Sequence, residues 1–209
     1  SQSASIAKVM IVAMALRQAR ATGEPFTFED YTRASKAITV SDNDSADELW
    51  ASSGERPAYD ELAAELGLSE THSDPGNSFW SWTWTTPGDQ RELVRQLVEG
   101  TKALHMEDRL YLLDLMSRVA PSQRWGVGNP TLQPGLSGMV KVEMKNGWVE
   151  FKSSDGLWAV NSIGHVSGEG RDYVAAMMCR VDSFEKGRQL LDAIGAELWT
   201  ILGKGELVD

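Results

Sequence analysis

Ser5 and Lys8 stand three positions apart at the start of a strongly apolar stretch. On a helix, that spacing puts a hydroxyl and an amine on one face. An amine among apolar residues has its charged form disfavoured, and the neutral form is a usable general base for a serine nucleophile. Free backbone N–H groups at a helix start can also stabilise an oxyanion, so nucleophile, base and oxyanion donor could share one turn. A plainer reading makes Ser5 a capping residue and lets Lys8 snorkel to water. Two further polar groups stand out, Ser41-Asp42-Asn43 and Lys145-Asn146-Gly147. Singly, the first reads as a turn with side-chain hydrogen bonds, and the second as a solvated strand face with a bulge. A second Ser-x-x-Lys, from Ser183 to Lys186, reads only as the start of a helix.

The elements that must carry these residues follow from periodicity and punctuation. Residues 4–21 predict a buried helix, because Val9-Met10-Ile11-Val12-Ala13-Met14-Ala15-Leu16 is apolar nearly all round; Gly23 and Pro25 end it. Helices are predicted over 27–38, 44–52 and 57–66, the last opened by Pro57. Residues 70–85 predict a long polar and aromatic loop containing Trp80, Trp82 and Trp84, which either lines a pocket or packs under the helices. Thr86 and Pro87 read as N-cap and first residue of a helix to about residue 103, and another helix follows over 107–120. After Pro121 the texture changes to glycine and proline punctuation, then to three strands over 140–151, 157–166 and 173–181. Turns at Ser153-Ser154-Asp155-Gly156 and Gly168-Glu169-Gly170 are short enough for an antiparallel meander. A last helix is predicted over 183–202.

Composition narrows the partners. The chain of 209 residues is 42% hydrophobic and 24% charged, ordinary for a globular protein. Its net charge of -10 argues against nucleic acid and against an anionic membrane surface. A small-molecule or cell-wall ligand remains open. One cysteine, Cys179, excludes an intrachain disulfide and reads as a buried thiol. His72, His105 and His165 lack metal-ligand spacing, so neither a metal nor another cofactor is expected. No apolar run reaches the roughly 18 residues of a transmembrane segment.

In order, Ser-x-x-Lys, Ser-Asp-Asn and Lys-x-Gly form the three-motif pattern of class A β-lactamases and penicillin-binding proteins. The chain resembles that superfamily, especially its β-lactamase-like serine hydrolases of actinobacterial type. The flanks Thr85-Thr86-Pro87 and Arg124-Trp125-Gly126-Val127 agree, and the resemblance covers nearly the whole chain. It implies an α+β fold forming one domain over 1–209, with a mostly helical lobe to about residue 130 and an antiparallel sheet plus terminal helix over about 138–209. It also implies an acyl-serine mechanism on amide or ester bonds of β-lactam or peptidoglycan-like ligands, in a secreted or envelope-associated protein. By the same resemblance Ser5 would be acylated, Lys8 would take its proton, and Ser41 would relay a proton to the leaving group. Asn43 would touch the substrate amide and position Lys8, Asp42 would hold the turn, and Lys145 would supply positive potential. Gly147 would leave room for substrate, and the N–H groups of Ser5 and Trp148 would form the oxyanion hole.

Three departures qualify the likeness. Asn146 replaces the family's Thr or Ser, whose hydroxyl binds a substrate carboxylate; an amide there reaches differently. The loop over 70–84 contains Glu70, read as solvated, but no Glu-x-x-Leu-Asn segment of the kind that activates the deacylating water. Slow or absent β-lactam turnover is expected, and a catalytically degenerate binding module is the alternative. Family members also place a helix and two strands ahead of the nucleophile, so a processed N-terminal fragment or a second chain is expected to complete the sheet.

Overall fold

The computed structural model describes residues 1–133, 135–136, 138–151 and 156–203. A 3-10 turn, Ala4–Ala7, leads into α1 (Lys8–Thr22), which Gly23 ends in the left-handed region at φ 73°. The helix predicted from residue 4 thus begins as 3-10, because Ala4 sits at φ 49°, outside helical geometry. Every residue from Lys8 to Leu16 is buried, which explains why this stretch is apolar on all sides. Four of them, Val9, Met10, Ile11 and Val12, are 0% exposed, and each contributes on the order of 1.5–3 kcal/mol of apolar burial.

Five helices follow α1 in the helical lobe. Helix α2 (Phe28–Thr39) opens with a reciprocal cap between Thr27 and Asp30, and α3 (Asn43–Ser52) is capped by Asp42, whose Oδ1 accepts from the Ser45 N–H at 2.8 Å. Helix α4 (Glu55–Glu65) starts two residues before the predicted Pro57; Gly54 supplies the left-handed N-cap and the proline falls in the first turn. Helix α5 (Pro87–Glu99) is capped by Thr86 as predicted, but it stops before residue 103 because Gly100 takes φ 125°. Helix α6 (Met106–Ser117) completes the set. Two 3-10 stretches, Pro121–Gln123 and Gly126–Leu132, then cross to the sheet.

The sheet comprises β1 (Lys141–Glu150), β2 (Trp158–Gly168) and β3 (Arg171–Val181), all antiparallel and in the order β1-β2-β3. The turn at 168–170 holds three consecutive positive φ values. The turn read at Ser153-Ser154-Asp155 lies outside the described residues. Helix α7 (Phe184–Leu202), capped by Ser183, follows. The α+β architecture expected from the sequence is the one found.

Alternation along β1 sorts its side chains to two faces. Glu143, Lys145 and Gly147 look toward the helices, whereas Met144, Asn146 and Trp148 look toward the 121–132 crossing and α7. Because both faces are covered, β2 is buried continuously from Ala159 to Val166.

Candidate active site

Two lysine amines meet at the Ser41 hydroxyl, and Asn43 holds one of them. Lys8, at the start of α1, donates from Nζ to the Ser41 carbonyl at 2.6 Å, to Asn43 Oδ1 at 2.7 Å and to Ser41 Oγ at 3.3 Å. Lys145, in β1, donates to the same Ser41 Oγ at 2.9 Å and to the Asn146 carbonyl at 2.9 Å. Ser41 is placed between them by a left-handed backbone, φ 60°, at the junction of α2 and α3. Asp42 holds that junction through its cap and does not touch either amine.

Both lysines are fully buried. Burial lowers Lys8 to about 8, with the charges of Asp42 and Asp47 pulling the other way. Burial pushes Lys145 well below the ordinary lysine range, and the neighbouring charge of Lys8 adds to it. Two amines sharing one hydroxyl in low dielectric do not both ionise cheaply. Lys145, with no carboxylate beside it, is the more readily neutral partner. The sequence-based assignment has Lys8 as proton acceptor and Lys145 as the source of positive potential, and both amines reach Ser41 Oγ.

Ser5 is half-buried in the 3-10 turn, and its hydroxyl has no hydrogen-bond partner among the described residues. The turn is fixed instead through its backbone. A Cβ added to Gly147 would lie 2.7 Å from both Ser5 N and Ile6 N and 3.0 Å from Ser3 O. The glycine therefore admits the Ser5 turn against β1, where the resemblance implied room for substrate. Opposite it in the register, Asn161 donates from Nδ2 to the carbonyls of Gln2 and Ser3, each at 3.0 Å. Ser3 is further held by Thr83, N–H to carbonyl at 2.8 Å and hydroxyl to hydroxyl at 2.5 Å. Ser5 N and the residue before Trp148 are thus neighbours in space.

Asn146 departs from its expected place. Its side chain is 0% exposed and donates to the carbonyls of Gln123 at 2.8 Å and Trp125 at 3.0 Å. It ties the 121–126 crossing to β1 rather than facing the cleft, because strand alternation sends it to the face opposite Lys145. The Trp148 ring lies on that same face, packed against Trp125 and Phe184.

The aromatic loop divides its tryptophans. Trp80 is buried and its ring centroid lies 4.8 Å from Lys8 Nζ; Trp82 packs edge-on against Phe151; Trp84 is exposed and bridges to Gln2 and His72. Glu70 is exposed, and no carboxylate hydrogen-bonds Lys8 among the described residues. Sequence reasoning missed Asn161 and the particular role of Trp80; only the strand register and loop path reveal them. Hollows at the far end of α1, beside Met14, Ala58 and Leu62, lie apart from this cluster. Among the described residues, no three His, Cys, Asp or Glu side chains gather as a metal site, and no helix is long and apolar enough to cross a membrane.

Helices wrapped round a buried α1 and packed on an antiparallel sheet are the architecture of class A β-lactamases. The chain matches the class A β-lactamase of Bacteroides cellulosilyticus with a TM-score of 0.76 at 15% identity, over 96% of this chain and 83% of that one. It matches TLA-3 extended-spectrum β-lactamase with a TM-score of 0.78 at 16% identity, over 96% and 84%. The β-lactamase of Sphaerobacter thermophilus gives 0.76 at 18% identity, over 97% and 84%. Identities this low speak to fold alone. No curated protein is significantly similar in sequence. The family model described as the β-lactamase enzyme family matches residues 27–202. The chain belongs to the β-lactamase enzyme family. That match starts downstream of Ser5 and Lys8, so the case for Lys8 rests on its contacts with Ser41 and Asn43, and that for Ser5 on its place three residues before Lys8.

Proposed function

We propose that this protein is an acyl-serine hydrolase or acyl transferase acting on amide or ester bonds of β-lactam or peptidoglycan-like ligands. The observation that carries the reading is the meeting of the Lys8 and Lys145 amines at the Ser41 hydroxyl, with Ser5 three residues before Lys8 in the chain. Neutral Lys8 keeps two N–H bonds, to the Ser41 carbonyl and Asn43, and one lone pair for a proton. Ser5 Oγ attacks the substrate carbonyl carbon and gives its proton to Lys8, while the N–H groups of Ser5 and Trp148 bind the oxyanion. Ser41 passes a proton to the leaving nitrogen and recovers one from Lys8, with Lys145 supporting its oxygen. The C–N bond breaks, an ester to Ser5 remains, and Ser5's proton ends on the departing amine. A carboxylate on the substrate would restore charge to Lys145.

The ester is expected to persist. Asp42 is engaged in its helix cap and Asp47 with Trp80, so neither is free to activate water beside Lys8. The alternative, a binding module of the cell envelope without turnover, draws on the unpartnered Ser5 hydroxyl and the inward Asn146. By family kinship we place the protein outside the cytoplasm, which fractionation of producing cells checks.

Covalent labelling separates the readings. A penicillin or fluorophosphonate should add one mass increment at Ser5 within minutes, still present after hours. Ser5→Ala should abolish the label, and Lys8→Ala should slow it at least about 100-fold. No adduct at high probe concentration, with the protein demonstrably folded, sinks the enzyme reading and leaves the binding module.

A further inference from the structure

The indole over Lys8 is built in from several sides. Trp80 opens the 3-10 turn Trp80–Trp82 and is 6% exposed. Its Nε1–H donates to Asp47 Oδ1 at 2.5 Å, which fixes the ring plane. The Trp80 carbonyl accepts from Thr83 Oγ1 at 2.9 Å, and that same hydroxyl grips Ser3, two residues before the nucleophile. One short turn therefore touches the base through a ring face and the nucleophile's approach through Thr83.

We propose that Trp80, locked by Asp47, is a positioning residue that seats the Lys8 amine against Ser41 and Asn43 and sets how readily that amine gives up and takes back a proton. This rests on the reading of Lys8 as the base for Ser5. The ring face carries negative quadrupole and attracts an ammonium, most strongly where water is excluded. The three polar contacts of Lys8 go to Ser41 and Asn43, and the indole covers a further side. Charged groups acting on the amine are Asp42 and Asp47 from α3, which favour its protonated form, and Lys145 from β1, whose charge competes with it. From the 70–85 loop, among the described residues, the indole is what faces it. Burial works against charge here, and the ring offsets part of that penalty.

The consequence runs against simple loss of function. Without the ring, Lys8 should become neutral at lower pH, by roughly half to one pH unit. The test titrates Lys8 by NMR in protein carrying 13C-labelled lysine, and measures the Ser5 labelling rate against pH in parallel. Trp80→Leu is expected to move the Lys8 midpoint and the acid limb of labelling down together, with Trp80→Phe between it and wild type. Asp47→Asn keeps an acceptor for the indole and removes one charge, so it should also lower the midpoint. Should Trp80→Leu fail to fold, Trp80→Phe alone carries the comparison. A merely structural role would reduce the labelled fraction and leave the midpoint unmoved; an unmoved midpoint in a folded variant overturns the proposal. Absence of label in the wild type overturns the enzyme reading instead, and the NMR titration still reports what Trp80 does to Lys8.

Discussion

Lys145 is costly to bury. A fully buried amine gives up its hydration and recovers two hydrogen bonds, to Ser41 Oγ and the Asn146 carbonyl, with no carboxylate to match it. Lys145→Met has similar volume and no charge, so it should stabilise the fold by about 1–4 kcal/mol, read as a Tm rise of several degrees. The same variant should lose Ser5 labelling by at least about 100-fold. The sign of the linkage agrees: Lys145, pushed by burial well below the ordinary lysine range, binds fewer protons than the unfolded chain, so stability should climb as pH rises toward the unfolded value near 10.4. Thermal melts of wild type and Lys145→Met from pH 7 to 10 check this, with a flatter curve expected for the variant.

Between elements, the decisive contact is backbone on backbone. Gly147 in β1 lies against Ser5 N and Ile6 N, and no side chain can fill that gap. Gly147→Ala should therefore push the nucleophile turn off the strand, costing about 1–3 kcal/mol and most of the labelling rate. A denaturant melt with parallel labelling measures both, and a variant that labels normally would sink this account. Local chemistry made the elements legible in advance: Thr27, Asp42, Thr86 and Ser183 all cap the helices they precede. The three polar motifs likewise named Lys8, Ser41, Asn43 and Lys145, which do converge. What stayed hidden depends on register and loop path. Asn146 and Asn161 are both strand amides, and only pairing shows that one turns from the cleft while the other grips the nucleophile turn. Trp80 could not be told from Trp82 or Trp84 until the loop's path was known.

Across the whole molecule, a second ionic cluster sits further along the sheet. His165 in β2 bonds Glu143 from Nδ1 at 2.6 Å and Asp172 from Nε2 at 2.7 Å, and Lys141 also bonds Glu143. These partners lie 22 and 7 residues from His165, so scattered histidines in the sequence gave no sign of them. An imidazole donates from both nitrogens only when protonated. The bond to Glu143 raises His165, against the opposing effect of burial. A raised folded value means that the contribution is complete below the unfolded value of about 6.5 and is lost as pH rises through the folded one. Wild-type Tm should therefore fall by a few degrees relative to His165→Gln as pH rises through the raised folded value, measured by circular dichroism melts over pH 5–9. Equal slopes for the two proteins would rule out this contribution. The His165 cluster and the Lys145 amine thus place two separate ionisations on the same face of one sheet.

Ser41 holds a left-handed backbone without being glycine, a conformation that costs a serine on the order of 1 kcal/mol. Relaxing it by mutation to glycine would delete the hydroxyl shared by both amines. Drift toward a more comfortable chain and drift toward chemical silence therefore point the same way, and a lineage freed from selection for turnover would slide downhill into a sturdy, inert receptor.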